Sequence, residues 1–290
     1  MAPSVGPGTV GLPVESLAGF RRLWDCPAVA KGVQRRVTLT VFRAAFFVSS
    51  QFHFTINPPN MTRHLQRDMD RIQREMLSLS SLVEEMIDKA TLALHERSDQ
   101  LAREVVESDE LVDQREVQLE EECLKLLALH QPVAGDLRRV AAVLKINNDL
   151  ERIADLAVNV AERVRSLSAF HQFPIPDDVR LMAHLAKRMV RGALDAFVQL
   201  DPHAARTVMR SDADLDSLNV SVIEQLTATM QQHPELVPAG LHCFSAARHI
   251  ERIGDHATNI AEDVVYLVEG EIVRHQHSEH SEPPHRYAPR

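Results

Sequence analysis

LERIADLAVNVAERV (150–164) and IERIGDHATNIAEDV (250–264) are the same text written twice, 100 residues apart. Glu151 falls on Glu251, Arg152 on Arg252, Asp155 on Asp255, Asn159 on Asn259 and Glu162 on Glu262. Upstream the offset becomes 103, and SDELVD (108–113) lies over SDADLD (211–216), so that Asp109 matches Asp212 and Asp113 matches Asp216. The three-residue difference fits in a loop. Two copies of one unit make up the folded chain.

The apolar periods around these segments are helical. Leu65, Met69, Ile72, Met76, Leu79, Val83, Met86, Ala90 and Leu94 recur at steps of three and four, a single stripe on one long helix. A second helix follows Ser98-Asp99 and stops at Gln131-Pro132. A third runs from about Ala134 to Leu167, and SAFHQFPIPDD (168–178) reads as a linker. Asp177 is the expected N-cap of helix four, which ends at Asp201-Pro202. Helix five spans about His203 to Gln232, HPELVP turns the chain, and helix six reaches about Gly270. The expected fold is all-α: two tandem, pseudo-symmetric three-helix bundles, at 61–170 and 176–273.

Composition agrees. Of 290 residues 44% are hydrophobic and 25% charged, which excludes wholesale disorder, and only 4% are aromatic, which disfavours an all-β chain. The net charge of −9 gives no basic field for nucleic acid. Cys26, Cys123 and Cys243 form no CxxC pair and are expected as reduced, buried thiols of a cytosolic protein. The chain also has a seam. Residues 1–60 carry +4 and hold seven of the thirteen aromatics and half of the glycines. They are read as an extension outside the fold, with Met61 as the expected true start; a basic membrane-touching arm is the alternative. Nothing in them is apolar enough to span a bilayer, and residues 274–290 are expected to be a disordered tail.

The chemistry lies in the acids. Asp109/Asp113, Glu151/Asp155, Asp212/Asp216 and Glu251/Asp255 are all pairs at i and i+4, on one face of a helix and about 6 Å apart along it. Like charges so placed repel by roughly 1–3 kcal/mol per pair. A cation should compensate. Arginines 152, 248 and 252 would make an exposed ion-pair lattice of little worth. A metal cluster is the other compensator, since oxygen-only ligands suit hard cations. The candidate ligands are Asp109, Asp113, Glu151, Asp155, Asn159 and Glu162 in the first repeat, and Asp212, Asp216, Glu251, Asp255, Asn259 and Glu262 in the second. No Glu-x-x-His pair occurs at these positions, and there is no His-Glu-x-x-His, phosphate loop or nucleophile elbow, so nothing recommends an enzyme.

LKLLALHQPVAGDLRRVAAVLKINNDLERIAD (124–155) and SAARHIERIGDHATNIAEDVVYLVEGEIVRH (245–275) resemble the PhoU family of phosphate-uptake regulators, and the resemblance covers about 61–275. It implies a multinuclear cluster of iron, manganese, magnesium or zinc on each bundle at the acid-x-x-x-Asp motifs. It also implies a cytoplasmic accessory to the ATPase subunit of a high-affinity ABC phosphate importer. Such a protein helps hold a phosphate-sensing histidine kinase in its repressing state when phosphate is plentiful. A homodimer, peripheral at membrane complexes, is the expected assembly. A purely structural helical scaffold and a metal-dependent hydrolase are the competing classes, ranked in that order.

Overall fold

The computed structural model describes residues 63–270; the expectations for residues 1–60 and for the 274–290 tail lie outside the described residues. The chain forms α1 (Arg63–Glu96), α2 (Asp99–His130), α3 (Ala134–Leu167), α4 (Asp177–Gln199), α5 (Pro202–Gln232) and α6 (Val237–Glu269). A single 3₁₀ turn, Pro234–Leu236, precedes α6. There is no strand among the described residues.

All nine residues of the sequence stripe on α1 are buried. Each Leu, Ile or Met along it contributes roughly 1.5–3 kcal/mol by leaving water. The 103-residue offset extends to this helix: Leu79, Met86 and Ala90 of α1 correspond to Met182, Met189 and Ala193 of α4, and all six are buried. Helices α1–α3 pack mutually, α4–α6 do the same, and the triples join chiefly along α3 and α6. That position explains the composition of α3 and α6. Each must bury one face in its own bundle and another against its twin, and Ala154, Ala157, Ala161, Gly254, Ala257 and Ala261 let the backbones approach. Cys123 and Cys243 are buried free thiols whose pKa burial pushes up to about 12.

Helix ends follow local chemistry with one correction. Ser98 caps α2 by accepting from the Leu101 amide at 3.3 Å, and Asp201 caps α5 by accepting from His203 and Ala204 at 2.8 and 3.1 Å. Gln131 ends α2 in the left-handed conformation (φ 43°), and Gly270 ends α6 there (φ 77°). Asp177 is not an N-cap. Pro176 occupies that position with no side-chain cap, and Asp177 is the first helical residue, where its charge still meets the positive end of the helix. Its neighbour Asp178 instead accepts from Ser221 at 2.7 Å and Gln225 at 2.6 Å, tying α4 to α5. The linker is held by Arg97, which donates to the carbonyls of Phe170 (2.7 Å) and Phe173.

Candidate metal centre

The second and third helices of each bundle bring their acid pairs together. In the first repeat Asp109 lies between α2 and α3 at partial burial, and its carboxyl is pushed above the usual range by burial, then by Asp113 and Asp155. Glu151 is raised by burial, then by Asp155, with Asp113 and Glu116 adding to it against the opposing Arg152. Its Oε2 is buried and accepts no hydrogen bond; the nearest cation is Arg152 Nε at 3.3 Å. In the second repeat Glu251 is 9% exposed and likewise raised by burial, then Asp255. Its Oε1 accepts from Arg248 at 2.6 Å, while Oε2 is buried without a hydrogen-bond donor. Asp255 is exposed, yet the surrounding helices desolvate its carboxyl enough to raise it, with Asp216 next in effect. Asp212 accepts from Thr258 of α6 at 3.3 Å, one turn beyond Asp255. The eight acids of the i,i+4 pairs therefore form two clusters, one per bundle.

The other four candidates continue the same stripes further along α3 and α6. Asn159 donates to the Asp155 carbonyl at 2.8 Å. Glu162 pairs with Arg163 at 3.2 Å and acts electrostatically on His249 of α6. Asn259 and Glu262 line a groove of about 530 Å³ between α3 and α6, with Lys145, Asp149 and Asp263. There His256 meets Asp149 at 2.9 Å and Lys145 meets the buried Asp263 at 3.0 Å. His256 thus joins the two repeats. His130 ends α2 and meets Asp68 of α1 at 3.0 Å.

Two groups were not singled out in the sequence. Glu116 stands one turn beyond Asp113, and its carboxyl is raised by burial, then Glu120 and Asp113. Asn147, 1% exposed, donates to the Glu116 backbone carbonyl at 2.9 Å and to its Oε1 at 3.2 Å, which leaves the amide oxygen of Asn147 buried without a partner. The signal for Glu116 was its spacing of seven from Asp109 and three from Asp113. Asn147 is one turn ahead of Glu151.

The donor set fits a hard cation. Every functional atom is an oxygen, and the carboxyls are raised first by burial and then by one another. The matched Glu151 and Glu251 each keep one buried oxygen without a hydrogen bond. Among the described residues no three acidic, imidazole or thiol side chains are drawn to ligand distance. A bound ion would have to draw the carboxylates inward.

Comparison with known proteins places this architecture. The PhoU domain matches residues 76–164 and again 179–264, one copy per bundle, with both acid pairs inside each match. The chain belongs to the PhoU family. It is 38% identical over 213 residues to the phosphate-specific transport system accessory protein PhoU homolog of Aquifex aeolicus, covering 73% of this chain and 96% of the relative. The Escherichia coli accessory protein PhoU is 31% identical, covering 74% of this chain and 91% of its own. Among solved structures, PhoU from Pseudomonas aeruginosa aligns with a TM-score of 0.68 at 35% identity, over 71% of this chain and 99% of that one. The phosphate transport system regulatory protein PhoU from Streptococcus pneumoniae gives the same TM-score at 28% identity, over 72% and 99%.

Proposed function

We propose that this chain is a cytoplasmic accessory regulator of phosphate homeostasis. It contacts the ATPase subunit of a high-affinity ABC phosphate importer and a phosphate-sensing histidine kinase, and represses uptake and the starvation response when phosphate is plentiful. The carrying observation is the PhoU match through both bundles, to relatives named as accessory proteins of phosphate-specific transport. The described residues contain no helix long and apolar enough to cross a membrane. A contact regulator works by binding one state of its partner better than another. Paired acid clusters suit that task, because charge complementarity sets partner choice and orientation more than raw affinity.

The same reading gives each cluster a metal, of iron, manganese, magnesium or zinc, held by Asp109, Asp113, Glu151 and Asp155 in one bundle and Asp212, Asp216, Glu251 and Asp255 in the other. A bound cation would reverse the local field, letting an acidic helix face approach anionic groups on a partner. The test is a starvation-promoter reporter in a deletion strain. Expression should stay on in high phosphate and be switched off by the restored gene, and purification from replete cells should recover the importer ATPase and the kinase. Normal repression in a deletion strain with no second copy of the gene would refute the regulator.

A further inference from the structure

The two acid clusters occupy equivalent places, but the residues around them differ in ways that alter their charge. At the 103-residue offset Glu116 of α2 corresponds to Asn219 of α5. At the 100-residue offset Asn147 corresponds to Ala247, and Asn148 to Arg248. The first cluster therefore has a fifth carboxylate, Glu116, which acts electrostatically on Glu151 and is itself raised by Asp113. It also has Asn147, buried to 1% and tied to the Glu116 carboxylate; its unpartnered amide oxygen is matched in the second repeat by that of the buried Asn219, so the difference lies in the charge and the tie. Among the described residues the cation paired with this cluster is Arg152, which meets both Glu151 and Asp155 at 3.3 Å from a half-exposed position. The second cluster has four carboxylates and feels His256 and two arginines, Arg248 and Arg252. Arg248 is the closer: its guanidinium donates to Glu251 Oε1 at 2.6 Å, and the Glu251 side chain is only 12% exposed.

We propose that the two sites are unequal. The first-repeat site, enlarged by Glu116 and Asn147, takes a divalent cation first and more tightly. In the second, Arg248 is a tethered cation that already holds Glu251 Oε1 and opposes an entering metal. Both halves of the argument are local. Glu116 adds negative charge and an oxygen donor beside the existing pair, and Asn147 holds that carboxylate in place; outer-shell partners of this kind change metal affinity by about 10- to 100-fold. A guanidinium on a nearly buried carboxylate is a short, charge-assisted contact that competes with an ion for the same carboxylate. The two sites then fill in sequence as the ion concentration rises, giving the protein a half-loaded state.

This inference rests on the metal reading above, and the experiment separates the two. Mn²⁺ is titrated into the full-length chain, with free ion followed by electron paramagnetic resonance and bound ion by elemental analysis. The Asp109→Asn/Asp155→Asn and Asp212→Asn/Asp255→Asn pairs each silence one cluster, and circular dichroism confirms that every variant remains helical. Wild type should show two classes of site, the tighter abolished by the first pair. Glu116→Gln should weaken that class by about tenfold or more and leave the other unchanged. Arg248→Asn, which copies the first repeat, should tighten the weaker class by a similar factor. Two binding classes of equal affinity, or variants within twofold of wild type at both sites, would overturn the inequality while leaving metal binding intact. No bound Mn²⁺ in wild type at millimolar ion would overturn the metal reading and the inequality with it.

Discussion

Gly254→Ala tests how closely the second bundle is packed behind its acid cluster. The first repeat carries Ala154 at this place, which makes the change look harmless in the sequence. In the structure a Cβ on Gly254 would lie 2.2 Å from Leu215 Cδ2, with Met189 Cε at 3.6 Å. Leu215 is fully buried between Asp212 and Asp216 on α5, and its counterpart in the first repeat is the smaller Val112, also fully buried. The repeats thus pair Ala with Val and Gly with Leu, keeping the joint volume nearly constant. Overpacking a tight core costs about 1–3 kcal/mol, while removing a glycine from a helix interior returns about 1 kcal/mol. The net expectation is a loss of about 1 kcal/mol, or about 2–4 °C in Tm for a folded unit of this size. Gly254→Ala/Leu215→Val should recover the loss, giving a coupling of about 1 kcal/mol or more in a double-mutant cycle. Thermal unfolding by circular dichroism measures both. A Gly254→Ala protein as stable as wild type, with additive effects in the double variant, would refute the packing argument.

Other outcomes follow from the same coordinates. Metal-free protein should gain stability as pH falls from neutral: Asp109, Glu116, Glu151, Glu251 and Asp255 bind protons more readily folded than unfolded, so their repulsion is fully present above the raised pKa values and is relieved on protonation. Saturating Mn²⁺ should flatten that dependence, which urea titrations at successive pH values would reveal. Cys123 and Cys243 should resist iodoacetamide at pH 8 in native protein and react fully in urea, as residue-resolved mass spectrometry would record, because burial holds both thiols protonated. Asp201→Ala, which removes the N-cap of α5, should cost about 1 kcal/mol by denaturant unfolding.

The elements legible in the sequence are those fixed by short-range periodicity. The α1 stripe from Leu65 to Leu94 was readable because each residue's burial depends on its place around one helix, and nine matching positions leave no second register. The four acid pairs were readable for the same reason, and doubly so because the text repeats. Asp177 was misread because two aspartates follow Pro176 and either has cap chemistry. The proline itself takes the cap position, and Asp178 turns to Ser221 and Gln225, 43 and 47 residues away. Such contacts have no period to betray them. The meeting of His256 with Asp149 requires α3 to lie along α6, a packing between repeats on which the text within either repeat is silent.

Glu116 was hidden by the comparison that exposed the acid pairs, and Arg248, legible in the sequence as one of three compensating arginines, was not marked by it as a difference between the halves. Aligning the two halves selects positions that agree, and these two disagree with their counterparts Asn219 and Asn148. In a duplicated fold the shared residues report what both sites need, because packing and ligand chemistry constrain both copies alike. The differing residues beside them are where one site can be tuned without moving the other. Glu116 is tied to Asn147 on the neighbouring helix and Arg248 to Glu251 on its own, so each acts on one cluster through a contact the other cluster lacks.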